Sequence, residues 1–208
     1  MVKNIILSIG KCFLYVLMLG ICQSIALSIL PGNVLLGTIF SSLLFIILVF
    51  CIAYVFKWET KKRLKINYIS LKSIAIVIAL AILANFAIQS VQFLFPESMR
   101  DVMADAFQSD FSDGKGIVSF LAIVVFAPFS EELLFRGLLF GELKSSTNLY
   151  VAGVLQALLF GIVHGNIIWG LIAFLSALFY VFLLERCDSI FAPIIGHMSV
   201  NLLAFIFM

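Results

Sequence analysis

Seven stretches of this sequence run close to membrane-spanning length with almost no charge, and that pattern leaves few folds open. A bilayer core of roughly 30 Å takes about 20 residues of helix to cross. The candidate segments are 5–30, 34–56, 73–95, 117–140, 149–165, 167–184 and 190–207. Backbone polar groups in hydrocarbon must be satisfied within the segment itself, which selects helices. The sequence therefore predicts an all-α integral membrane protein, a bundle of about seven transmembrane helices, with six or eight allowed because some segments are short. Composition agrees: 63% of the residues are hydrophobic and 12% charged, too little polar surface for a water-soluble fold. A net charge of +2 gives no electrostatic footprint for nucleic acid.

The loop after the second segment carries Lys57, Lys61, Lys62, Arg63, Lys65 and Lys72, which makes it cytoplasmic by the positive-inside rule. Lys3 and Lys11 put the amino terminus on the same side, two spans earlier, in a cell (plasma) membrane. The first segment reads as a retained anchor, since no small-residue cleavage site follows it. The loop 96–116 is acidic and faces outward, with Met99, Val102, Met103, Ala106 and Phe107 at helical spacing. Pro31-Gly32-Asn33 reads as a tight turn and Arg186-Cys187-Asp188 as a charged hinge. Cys12, Cys22, Cys51 and Cys187 form no metal or disulfide pattern and read as buried thiols. Asn85, Gln89 and Gln92 form a polar stripe suited to interhelical hydrogen bonds. The pairs Gly137/Gly141 and Gly161/Gly165 suit close helix packing.

Charge inside the membrane is the exception that carries chemistry. Glu131, Glu132 and Arg136 lie in the fourth segment, where a charge near mid-bilayer costs at least about 2.5–3.5 kcal/mol. They must face protein or a wet cavity. Glu132 and Arg136 are four residues apart on one helical face and can pair; Glu131 points about 100° away and is left over. The two histidines of the chain, His164 and His197, lie in the fifth and last segments, with Asn201 one turn beyond His197. Measured along the helices at about 1.5 Å per residue, Glu131 and His197 lie inward of the midplane and His164 nearer the outer edge. A shared site therefore requires one of these boundaries to shift.

These residue types suit one another. A carboxylate shielded from water can serve as a general base for a water molecule. Imidazoles can bind a metal, move protons or stabilise an oxyanion, and an asparagine amide donates to a developing oxyanion. The set fits hydrolysis of a carbonyl compound by activated water, with no Ser or Cys nucleophile. No HExxH sequence and no pair of aspartates within the spans is present.

At these residues the chain resembles the CPBP family, also called Abi, of intramembrane proteases related to the type II CAAX prenyl endopeptidase. The family pattern reads here as Glu131-Glu132-x-x-x-Arg136, Phe160-x-x-x-His164 and His197-x-x-x-Asn201, in order on successive helices. The resemblance covers 117–208, the catalytic helices; 1–116 supplies the amino-terminal helices and loops of the same membrane domain. It implies proteolysis of a membrane-associated peptide or protein, at or within the cytoplasmic half of the bilayer. Glu131 would activate water, and Glu132 with Arg136 would hold the helix or assist. His164 and His197 would act directly or, with Glu131, bind a divalent metal such as zinc. Asn201 would help hold the oxyanion, and Phe160 would pack beside the site. A different reading is a non-catalytic membrane partner or bacteriocin self-immunity protein. A proton-coupled transporter would need a matching polar cluster in the first half, which is missing.

Overall fold

The structure, a computed structural model, describes residues 2–101 and 116–207. They form α1 (Val2–Ile29), α2 (Val34–Val55), the single turn α3 (Thr60–Arg63) and α4 (Leu71–Gln89), which ends in a 3-10 turn (Ser90–Leu94). After these come α5 (Ile117–Ser146), α6 (Leu149–Ile162), α7 (Ile167–Cys187) and α8 (Phe191–Phe207). No strand occurs among the described residues. Each of the seven apolar segments becomes a helix. Five (α1, α2, α4, α5 and α7) are long and apolar enough to cross a membrane, which makes this a multi-pass all-α membrane protein. The 14-residue α6 and the 17-residue α8 fall short of that length. Of the outer-surface helix expected over 99–107, residues 99–101 are helical and the rest lies outside the described residues.

The turns are set by local chemistry. Asn33, Asn148 and Asn166 each accept backbone N–H bonds from the first turn of the helix that follows, capping α2, α6 and α7. Asp188 closes α7 in the left-handed conformation, as a charged hinge. On α2 the small residues Gly37, Ser41, Ser42 and Ala53 share a buried face with Phe45 and Val49, so the helix packs closely. The opposite pattern holds on α1, where Ile6, Phe13, Leu14, Leu17 and Ile21 are exposed, a face suited to acyl chains. Cys12 and Cys22 are buried, but Cys51 is exposed on α2 and Cys187 partly so, which corrects the expectation for those two thiols. The side chains of Asn85, Gln89 and Gln92 make no hydrogen bond to another described residue, contrary to the interhelical role expected of them.

One end of the bundle collects the cations. The amino end of α1, the 56–70 loop, the α5–α6 turn and the α7–α8 hinge meet there. Glu142 on α5 is bridged by Lys11 at 2.7 Å and Arg63 at 2.9 Å, and Arg63 also lies 4.0 Å over the Trp58 ring. Lys65 pairs with Glu185 at 2.9 Å and Asp188 at 2.8 Å, and Lys144 pairs with Glu185. Ten of the thirteen Lys and Arg residues belong to this end.

The Lys65 clamp gives a pH prediction. The hydrogen bond and charge of Lys65 hold the Asp188 carboxyl below the usual carboxylate range. Burial of Lys65 opposes its charge, but the hydrogen bonds it donates to Asp188 and Glu185 outweigh that, and its ammonium titrates above the ordinary lysine value. The Asp188 contribution is present above pH ~4 and is lost as pH falls through the lowered value. The Lys65 contribution is present below pH ~10 and is lost as pH rises through the raised value. The melting-temperature gap between the native chain and Lys65→Met should be widest at neutral pH and close at both extremes. A gap independent of pH would contradict the clamp.

The boundary that moved is the end of α5. The helix continues past 140 to Ser146, because Glu142 and Lys144 are neutralised by partners and need not be in a loop. The α5–α6 turn is thereby centred on 147–148. Glu131 lies fifteen residues before Ser146 and His164 fifteen residues after Leu149. At 1.5 Å per residue both stand about 22 Å from the turn. The difference in depth implied by the expected boundaries disappears.

Gly161 and Gly170 fix how α6 meets α7. A Cβ on Gly161 would stand 2.6 Å from the Gly170 carbonyl oxygen, and one on Gly170 would stand 2.9 Å from that of Gly161. Gly165 plays another part than the packing expected of it: with φ +71 it forms the turn between the two helices. Gly161→Ala should lower stability by about 1–3 kcal/mol through overpacking. Gly10→Ala, which meets open space, should not. Thermal unfolding in detergent measures both, and equal melting temperatures would contradict the contact.

Candidate active site

The site is built on α5, whose hydrogen bonding widens to the π pattern over Phe120–Phe126 and again over Leu133–Leu139. Pro128 lies just past the first of these; it has no N–H to give and its ring crowds the preceding turn. Such widened turns are frequent at functional sites. Here the two flank Glu131 and Glu132.

Glu132 and Arg136 are both 0% exposed and lie 3.1 Å apart. The contact is an ion pair out of line for a hydrogen bond, and the guanidinium N–H groups find no hydrogen-bond acceptor among the described residues. The cation is instead held over two aromatic faces, Phe160 at 4.6 Å and Tyr180 at 5.1 Å. The other oxygen of Glu132 accepts from His197 Nδ1 at 2.8 Å. A carboxylate only accepts, so Nδ1 carries the proton and Nε2 of a neutral His197 is left with its lone pair. That Nε2 lies 3.9 Å from Glu131 Oε2. The imidazole stacks on Tyr180 with centroids 5.0 Å apart and planes 22° apart.

His164 ends α6. Its Nδ1 donates to the Phe160 carbonyl at 2.6 Å, which fixes the same tautomer and frees Nε2. Phe160 stands edge-on to His164 at 4.7 Å and to Phe135 at 4.8 Å, and 6.2 Å from His197. Asn201 donates one amide N–H to the Ile123 carbonyl at 2.9 Å, leaving its second N–H available.

Glu131, His164, Asn201 and Phe160 line one cavity of about 670 Å³. His197 is not among the lining residues; it lies behind Glu131. The acid pair is thus divided as its spacing predicted. Glu132 is engaged by Arg136 and His197, while the Glu131 carboxylate makes no hydrogen bond to a described residue and faces the cavity. Of the residues expected as metal ligands, His197 Nε2 lies 3.9 Å from Glu131 Oε2, and His164 shares the cavity with Glu131. Among the described residues no three His, Cys, Asp or Glu side chains gather closely enough to hold an ion. His197 has turned one nitrogen to Glu132, and His164 has bonded one to its own helix. Sequence reasoning missed Tyr180, a single hydroxylated ring in the apolar run of α7. It also missed Gln23, Thr38, Ser41 and Ser42, which line the cavity from α1 and α2, with Ser42 3.0 Å from Ser130.

Fold and site together define a multi-pass helical membrane protein with a charged pocket shared by α5, α6 and α8. Residues 113–203 match the family described as "Type II CAAX prenyl endopeptidase Rce1-like". The match takes in all three motifs and is confined to that carboxy-terminal part of the chain. Among curated proteins, "Putative membrane peptidase YdiL" of Bacillus subtilis (strain 168) is 34% identical over 77 residues, covering 37% of this chain and 32% of that protein. "UPF0177 protein YxdF" of Lactococcus lactis subsp. lactis (strain IL1403) is 37% identical over 83 residues, covering 39% of this chain and 44% of that protein. The matched stretch therefore spans less than half the length of either relative. No solved structure matches the chain.

Proposed function

We propose that this protein is an intramembrane endopeptidase that hydrolyses a peptide bond in a membrane-associated peptide or protein. Glu131 is the base. Its carboxylate takes a proton from a water in the cavity, and the hydroxide adds to the scissile carbonyl carbon. The free amide N–H of Asn201 donates to the resulting oxyanion. His164 Nε2 orients the water or the carbonyl from the far wall. When the C–N bond breaks, Glu131 returns the proton to the departing amine nitrogen. His197 is a positioning residue acting through Glu131, held in place by Glu132 and Tyr180. Segment 117–208 supplies these groups and 1–116 the opposite cavity wall. The basic end of the bundle faces the cytoplasm, with the amino terminus there.

The observation that carries this reading is the contrast within the acid pair: Glu132 is buried between Arg136 and His197, and Glu131 faces the cavity beside His164 and Asn201. The test is hydrolysis itself. The purified chain in lipid vesicles should cleave a membrane-anchored peptide and place one solvent oxygen in the new carboxylate. This is read by mass spectrometry in oxygen-18 water. Absence of any cleaved peptide, in a chain whose Glu131→Gln variant still supports its role in cells, would favour a non-catalytic membrane partner.

A further inference from the structure

We infer that the cavity is entered from the side of the membrane opposite the basic end, so that its substrate is a peptide segment presented at the outer surface or in the outer leaflet. The inference rests on the hydrolytic reading for its substrate and on geometry for its direction. At the far end of the bundle the rim is exposed: Leu27 at 55%, Val34 at 65% and Val163 at 60%. Leu27 and Val34 flank the α1–α2 turn, and Val163 precedes the α6–α7 turn, both remote from the cations. Going inward, the floor is buried, with Leu134 at 1% and Ser130 at 3% exposed. Beyond the floor α5 continues towards the basic end as packed helix. Leu138, Leu139, Phe140 and Leu143 are buried there and close that route.

A second observation marks the route as wet. Gln23, Thr38, Ser41 and Ser42 line the cavity between the rim and Glu131. The Gln23 side chain is exposed and makes no hydrogen bond to a described residue. Thr38 and Ser41 donate to the Val34 and Thr38 carbonyls and Ser42 bonds Ser130, so the Gln23 carboxamide is the group left costly against acyl chains and suited to water or a peptide backbone. The positive-inside rule makes the basic end cytoplasmic, so the rim opens outward. Entry is thus opposite to the cytoplasmic half expected from the sequence.

Thiol accessibility tests the direction without reading activity. Thr38→Cys and Gln23→Cys are made separately in a chain carrying Cys51→Ala and Cys187→Ala, and Lys62→Cys marks the basic end. A membrane-impermeant maleimide is applied to intact and permeabilised protoplasts. The expected result is that Thr38→Cys and Gln23→Cys react in intact protoplasts, while Lys62→Cys reacts only after permeabilisation. Labelling of the cavity thiols only after permeabilisation overturns the inference. So does failure of both to react in either preparation while Lys62→Cys reacts. If hydrolysis is absent but labelling is outward, the chemistry fails and the direction stands; the converse result leaves the chemistry and removes the direction.

Discussion

The Glu131→Gln chain should fold, insert and bind a membrane-anchored peptide, yet turn it over about 10²–10⁴-fold more slowly than the native chain. The carboxamide keeps the size and shape of the acid and cannot accept the proton of water. Stability should be nearly unchanged, because the Glu131 carboxylate makes no hydrogen bond to a described residue and His197 Nε2 is 3.9 Å away. Turnover and thermal unfolding on the same preparation separate the two effects. Native turnover in a stable Glu131→Gln chain would remove Glu131 as the base.

Arg136→Met should have the largest effect on stability. It leaves the Glu132 carboxylate 0% exposed with its cation gone. Removing one partner of a buried ion pair costs about 3–5 kcal/mol. The double replacement Glu132→Met with Arg136→Met should recover much of that loss, because it leaves no unpaired charge. The double variant should still be slow in turnover, since His197 loses the acceptor that orients it. Unfolding in detergent measures the cycle. Equal destabilisation in single and double variants would show that the pair is not coupled as described.

These two results differ in kind, one kinetic and one structural, although the residues are close neighbours on one helix. The division was legible in the sequence. Four-residue spacing joins Glu132 to Arg136 and the adjacent position turns Glu131 aside, and the widened turns of α5 preserve that relation. The presence of His164, His197 and Asn201 in apolar segments was equally legible, because polar groups in such segments stand out.

What stayed hidden depended on partners distant in sequence. The end of α5 was misjudged because Glu142 and Lys144 look like loop residues until Lys11, Arg63 and Glu185 are seen to neutralise them. With that end moved, the depths of Glu131 and His164 agree. Tyr180 carries no motif, and its role comes from stacking on His197 and facing Arg136 across helices. Gln23, Thr38, Ser41 and Ser42 were unremarked because isolated hydroxyls and amides are common on packed helices. Only the cavity gives them a shared direction. Nor does spacing reveal which imidazole nitrogen is already committed to a neighbour.

An experimental structure of the Glu131→Gln chain with an uncleaved peptide bound in a lipid environment tests the arrangement most directly. The scissile carbonyl should lie in the cavity with its oxygen within hydrogen-bond distance of the Asn201 amide and its carbon about 3–3.5 Å from a water beside residue 131. A peptide seated elsewhere, or a residue 131 side chain turned out to the acyl chains and away from both imidazoles, would contradict it.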